Sequence, residues 1–309
     1  MIYIEMTGRC GNQMFEYAIA RKLQILNNNK DDIIFNTHYI LSKAEVGEYW
    51  ENALQYFNIV KVYEEDITNK SIYKYGKKMQ KIIMKVYEKI FSKLPVKRNV
   101  KWKIQICFQP VMNKIGLYTA CHGIGKIGKS IYKDKFVTGI YENRQWFDDI
   151  RDILVEELTP KEKVLQKNEK VLKIIQEKES VCLSVRRGDF VGTALRDVCT
   201  EEYYIKAIKK MKDIVPNAVF IVFSDDINWV KDNYKFMEDF IFEDGNDPIY
   251  EKFRLMYSCK HFIMSNSTFC WWAQYLCKNE KKKVVSPIRW MNESGYEDFI
   301  ENEWVKIDL

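Results

Sequence analysis

The stretch V-C-L-S-V-R-R-G-D, residues 181–189, decides the fold. Five residues suited to a buried strand run without a spacer into two arginines, a glycine and an aspartate. A short apolar strand bounded in this way belongs in a parallel sheet covered by helices on both faces. Such sheets bind ligands in the loops beyond the carboxyl ends of their strands. Two adjacent arginines at that place are costly unless they meet anions. The plainer reading of these residues is a structural ion pair with Asp189. The functional reading is a diphosphate clamp at Arg186 and Arg187, because a guanidinium meets phosphate oxygens through two parallel hydrogen bonds.

Working outward, strands and helices alternate from Pro160 to the C-terminus. A charged helix is expected over 161–178, and Thr200 with Glu201 and Glu202 starts another running to about Val215. Further strands are expected at 218–225, 240–243, 261–265 and 284–287, with helices at 248–259 and from Thr268 to Cys277. The loops at the strand ends hold Ser184 to Asp189, Ser224 to Asp226, and Ser265, Asn266, Ser267 and Thr268. The last four place short hydrogen-bonding side chains at a helix start, where the dipole favours an anion; an ordinary N-cap is the plainer alternative. Asp225 and Asp226 read either as ligands of a metal or sugar hydroxyl or as a cap for the next helix.

Toward the N-terminus, I-Y-I-E-M (2–6) reads as a strand, followed by Gly8-Arg9-Cys10-Gly11 and a helix from about Asn12. A glycine-bearing turn between strand and helix lets a ligand approach free N–H groups. It lacks the third glycine of the dinucleotide fingerprint, and the chain holds no Walker-type Gly-Lys-Ser/Thr, which disfavours P-loop kinases and ATPases. Residues 33–35 and 136–141 read as strands, and 146–158 as an amphipathic helix. The long region from 40 to 135 yields one clear helix.

No apolar run approaches the ~20 residues of a membrane-spanning helix. The start MIYIEMTGRCGNQ lacks a basic region followed by an apolar one, so secretion and disulfides are not expected. The eight cysteines include no C-x-x-C pair, and none lies at metal-ligand spacing from the three histidines; buried free thiols are expected.

Three motifs in order, GRCGNQMFEYA near the N-terminus, SVRRGDF after a central strand and SNSTFCWW near the C-terminus, resemble glycosyltransferase family 11, the α-1,2-fucosyltransferases, in a bacterial form without a membrane anchor. The resemblance covers nearly the whole chain and is poor from about 40 to 135. It implies an α/β, GT-B-like architecture of two Rossmann-like domains facing a central cleft. The N-terminal, acceptor-side domain would take residues 1–155, with a basic helical insertion at about 70–105. The nucleotide-sugar-binding domain would take 156–309. It implies inverting transfer of L-fucose from GDP-β-L-fucose to the 2-hydroxyl of a galactose-terminated glycan, in surface-glycan or O-antigen synthesis, with no metal required. By the resemblance Arg186 holds the β-phosphate and stabilises departing GDP, with Arg187 and Asp189 bracing the loop. Ser265 to Thr268 line the phosphates and ribose, His261 lies near the guanine, and Gly11, Gln13 and Asp225 join the donor side. Asn12 reaches the donor sugar or the acceptor hydroxyl. The chain departs from the family pattern at Ser184 (usually His), at Glu16 (usually Gln) and at Gly139-Ile140-Tyr141-Glu142 (usually Gly-Tyr-Trp-Gln). Glu16, Glu142 and Asp189 all stand open as the acceptor base. The alternatives are the same fold and inversion with another nucleotide-sugar donor, or a non-catalytic glycan- or membrane-binding relative.

The net charge of +6 is unevenly spread: Lys74 to Lys103 contains eleven basic residues and one acid, or +10, leaving −4 for the rest. Between 74 and 94, lysines and apolar residues fall on opposite faces of one helix. An ordinary solvated face is the plain reading. The sharper one is peripheral contact of a cytoplasmic enzyme with the anionic inner face of the plasma membrane, near a lipid-linked acceptor. No aromatic-interleaved basic motif points to nucleic acid.

Overall fold

The computed structural model describes residues 1–46, 50–66, 72–120 and 122–308. The chain divides into two compact units, Met1–Leu158 and Thr159–Leu309.

Unit 1 begins with β1 (Ile2–Glu5), α1 (Cys10–Leu26), β2 (Ile33–Asn36), α2 (His38–Glu45) and β3 (Val62–Glu65). It continues through α3 (Lys78–Lys93), α4 (Arg98–Lys114), β4 (Leu117–Tyr118), β5 (Lys135–Val137) and α5 (Arg151–Glu157). Among the described residues its sheet has five strands in the order β3-β2-β1-β5-β4, and every pairing is parallel. β1 is central because Ile2, Tyr3 and Ile4 are buried, pairing with Ile33 to Phe35 on one side and Lys135 to Val137 on the other. From β1 the chain goes to β2 and β3 and then crosses to the other side. The direction of winding therefore reverses between β1 and β5, where ligands of such sheets bind. α3 and α4 supply Met84 and Met112 to a core with Tyr3, Ile34, Leu117 and Phe136.

Unit 2 comprises α6 (Glu169–Glu177), β6 (Glu179–Val185), α7 (Glu201–Ile214), β7 (Ala218–Ser224), α8 (Ile227–Asn233) and β8 (Ile241–Phe242). It ends with α9 (Ile249–Ser258), β9 (His261–Ile263), α10 (Thr268–Leu276), β10 (Val284–Pro287) and β11 (Val305–Ile307). The described strands run β11-β10-β9-β6-β7-β8, again all parallel. β6 is buried from Ser180 to Val185, as its composition requires, and winding reverses between β6 and β9. Thr200 caps α7 by accepting the Tyr203 N–H at 3.4 Å.

Several expected boundaries move. α1 starts at Cys10 rather than near Asn12, because the turn is completed one step earlier at Gly8 (φ +70°), where a Cβ would meet the Asn12 side chain. The helix expected over 146–158 is α-helical only from Arg151, after two 3₁₀ turns capped in part by Asn143. The helix expected over 161–178 begins at Glu169, since Leu165 N–H is drawn out to the buried Glu251 carboxylate at 3.0 Å. α2, β3, α4, β4 and β11 have no counterpart in the sequence reading. Cys10, Cys182, Cys259, Cys270 and Cys277 are buried free thiols, and burial pushes the Cys10 and Cys182 thiols up, which leaves them inert. Cys107 is exposed on α4, and Cys121 lies outside the described residues. Among the described residues no helix is long and apolar enough to cross a membrane.

Candidate active site

In unit 2 the carboxyl ends of β6 and β9 lie side by side at the winding reversal. The loops that follow them are joined by a 2.9 Å hydrogen bond between the Ser184 and Ser265 hydroxyls. Two segments eighty residues apart are thus brought to one place by parallel pairing, Leu183 opposite Ile263.

Arg186 leaves the end of β6 half-buried. Its Nη1 meets the Asp225 carboxylate at 2.9 Å, its Nη2 meets Asp189, and its guanidinium lies over the Phe190 ring. Asp189 also takes Arg196 Nη1 at 3.0 Å, so its carboxylate is divided between two guanidinium groups. Asp225 additionally accepts the Arg187 N–H at 2.8 Å. Gly188 (φ +21°) must be a glycine here, since a Cβ would run into the Asp225 carboxylate. Arg187 stacks on Trp229, its guanidinium carbon 3.0 Å from the ring centroid. The structural ion pair is therefore present, yet it does not satisfy the arginines. The Nε–H groups of both Arg186 and Arg187 are buried without a hydrogen-bond partner, Arg187 Nε standing 3.7 Å from Asp226. Buried guanidinium donors are rarely left so, and an acceptor-rich anion is the group that would satisfy them.

Of the four residues at the start of α10, Ser265 and Asn266 are buried, while Ser267 and Thr268 are half-exposed at the helix N-terminus. Asn266 is a brace: its Nδ2 donates to the carbonyls of Arg196 and Trp290, both at 2.9 Å. Asp226 caps α8, accepting the Trp229 N–H at 3.4 Å. Among the described residues no group of three or more His, Cys, Asp or Glu is arranged to hold a metal ion.

The expectation for His261 is corrected. It opens β9 at the amino end of the sheet, the edge opposite to Ser265. Both ring nitrogens are engaged there, Nε2 with Glu179 at 3.0 Å and Nδ1 accepting the Lys283 N–H at 3.0 Å. Residue type alone could not show which end of a three-residue strand the imidazole occupies.

In unit 1 the loops after β1 and β5 emerge side by side at that sheet's own winding reversal, because Ile4 pairs with Val137. Gly11 is buried in the first turn of α1, and Asn12 is half-exposed beside Gly8. Gln13 is corrected from donor contact to scaffold. It is fully buried, donating to Gly8 O and Glu51 O at 3.0 and 2.8 Å while accepting the Ala53 N–H at 2.9 Å. Both amide N–H donors are used, and full burial closes the side chain to a ligand. Glu16 is likewise buried, and Thr7 donates its N–H and hydroxyl to the carboxylate. Burial raises the Glu16 pKa well above the usual carboxyl range, outweighing the two Thr7 hydrogen bonds that oppose it.

Glu142 is placed differently. It follows Gly139 (φ +101°) and Tyr141, whose φ of +57° is a strained left-handed conformation for an aromatic residue. The buried Tyr141 ring, edge-on to Trp146, holds that conformation. Glu142 Oε2 meets His122 Nδ1 at 2.8 Å, and the His122 ring packs 4.0 Å from Trp102. His122, Trp102, Arg196 and Trp229 were not legible as site residues. Only Arg196, seven positions after Asp189, stood close enough in sequence to be suspected.

Comparison with known proteins places this geometry in a family. Over 193 residues (59% of this chain and 66% of that protein, just under two thirds) the chain is 31% identical to an alpha-1,2-colitosyltransferase of Escherichia coli. It is 25% identical over 329 residues, covering 99% of this chain and all of the other, to the O-antigen biosynthesis glycosyltransferase WbnK of E. coli. Among solved structures, the α-1,6-fucosyltransferase NodZ of Bradyrhizobium, co-crystallised with GDP, superposes with a TM-score of 0.51 at 10% identity, over 88% of this chain and 91% of that one, a likeness of fold. The sequence model of glycosyl transferase family 11 matches residues 1–308, and the chain belongs to that family.

Proposed function

We propose that this family 11 glycosyltransferase moves L-fucose from GDP-β-L-fucose to the 2-hydroxyl of a galactose-terminated glycan, with inversion to an α-1,2 linkage, in the assembly of a surface glycan such as O-antigen. The observation that carries the reading is the pair of half-buried arginines at the carboxyl end of β6, whose Nε–H groups have no hydrogen-bond partner, in a chain of a nucleotide-sugar-using family. Unit 2 takes the donor. Arg186 and Arg187 bind the diphosphate, with the α10 N-terminus and the Ser267 and Thr268 hydroxyls as further donors to it. As the bond between sugar C1 and the β-phosphate oxygen breaks, its electron pair leaves with GDP and the sugar gains oxocarbenium character. A guanidinium already in place is worth most at that moment. Asp225 is committed to Arg186 and the Arg187 N–H and Asp226 to a helix cap, so arginine rather than a metal ion carries the phosphate charge in this proposal.

Unit 1 takes the acceptor. Glu142 receives the proton of the attacking 2-hydroxyl, with His122 holding the carboxylate in place, and Asn12 orients a sugar hydroxyl. Glu16 is fully buried with Thr7 on its carboxyl, and the exposed Asp189 is shared by two arginines; the base is assigned to Glu142, itself largely buried, for its His122 partner. A second reading keeps fold and inversion and changes the donor sugar; the relative named for colitosyl transfer and the Ser184 departure favour it. A panel of nucleotide sugars with a galactose-terminated acceptor, scored by nucleotide release and product linkage, separates the two. The first reading requires GDP release with GDP-fucose; turnover only with a UDP- or dTDP-sugar overturns it.

A further inference from the structure

We infer that the outer face of α3 docks on an anionic lipid surface, lying in the headgroup layer parallel to it. The sequence alone puts all apolar residues of this helix on one face, and the structure divides that face in two. Ile83, Met84 and Tyr87 pack against the unit 1 core. Met79, Ile82, Val86 and Ile90 do not: they remain 54%, 48%, 51% and 54% exposed. Their spacing of three, four and four residues makes one continuous stripe, about 16 Å long at 1.5 Å per residue. The helix cannot roll to bury it. Gln80, fully buried on the inner side, donates to Ile115 O at 2.8 Å and Asp134 O at 3.0 Å and accepts the Lys77 N–H at 2.9 Å, which sets the rotation of the helix.

Charge selects the occupant. Lys78, Lys85, Lys89 and Lys93 are exposed along the border of the stripe, in a segment with eleven basic residues and a single acid. Lysine is depleted in protein–protein interfaces, where its long, hydrated side chain is costly to bury. Beside an apolar stripe at a bilayer surface the same side chain extends its ammonium to lipid phosphates while its methylenes lie on the acyl boundary. Apolar insertion and a basic row are the two signals that together give stable peripheral binding. Such a surface would bring the enzyme to a lipid-carried acceptor. The inference itself stands on the stripe and the lysines, and the donor plays no part in it.

Vesicle flotation of the intact protein tests it, with phosphatidylcholine alone and with phosphatidylcholine plus phosphatidylglycerol. Wild type is expected to bind the anionic vesicles at least tenfold more tightly than the neutral ones, and less as salt is raised. K85Q/K89Q loses about fivefold per lysine. I82N/V86N/I90N loses binding with an unchanged Tm, since those side chains are not core; if its Tm falls, the lysine variant decides. No binding to anionic vesicles, equal binding to both kinds, or wild-type binding by the lysine variant overturns the inference. So does a wild-type dimer that I82N/V86N/I90N converts to monomer, because a second copy would then cover the stripe. These readouts do not depend on turnover, so a failed donor assignment and a failed docking surface give different results.

Discussion

Glu16, Glu142 and Asp189 carry the same carboxylate, and their surroundings give them three different tasks. Asp189 is spent on Arg186 and Arg196. Glu16, buried and raised, holds Thr7 and through it the start of the glycine turn. A carboxyl whose folded pKa is raised is fully favourable below its unfolded value near 4.5, and its contribution is lost as pH rises toward the folded value. Glu16→Gln keeps acceptors for Thr7 and removes the titration. Urea unfolding should show the variant within about 1 kcal/mol of wild type at pH 4.5 and relatively more stable at pH 8. A parallel pH dependence in the two proteins would refute the role. Glu142, beside His122 at the end of a strained turn, is the base in our proposal. Glu142→Gln should lower kcat by about 10²–10⁴ while leaving donor KM nearly unchanged, read from steady-state kinetics. The sequence offered the three carboxylates as equals, because burial and pairing are not properties of a residue type.

At the scale of elements, helices with a local signal were legible. Thr200 followed by two glutamates announced α7, and the cap is made by the atoms that the pattern names. Thr200→Ala should cost about 1 kcal/mol, lowering Tm by about 2–4 °C in calorimetry; no change would mean that tertiary packing alone holds that end. α10 and the strands from 218 to 287 were legible for the same reason: short apolar runs bounded by turns leave little choice. Elements built on long-range partners were not. β3 is exposed at an edge and among the described residues pairs with β2 alone, and α6 is shortened by Glu251, more than eighty residues away from Leu165. α3 shows the limit most clearly: its period predicts two faces, and only packing against Tyr3, Leu117 and Phe136 makes a third.

For the whole molecule, each unit is a parallel sheet whose winding reverses beside its central strand, and each reversal is where that unit's motif lies. If unit 2 carries the donor, GDP alone should stabilise it. At a hundred times Kd the gain is about 2.7 kcal/mol, a rise of roughly 5–10 °C in Tm. Arg186→Ala should lose most of that rise while melting near wild type without ligand; an undiminished shift would take the phosphate away from Arg186. The sequence by itself determined the α/β class, the family, and the residue types of the phosphate loop. Strand composition, glycine positions and adjacent arginines are local facts that survive without contacts. Tertiary structure alone decided that Ser184 meets Ser265, that His261 is at the wrong edge, that Gln13 and Glu16 are scaffold, and that an apolar stripe on α3 stays outside. Each of these depends on which groups from distant parts of the chain share a desolvated space, and that is set by strand order and register.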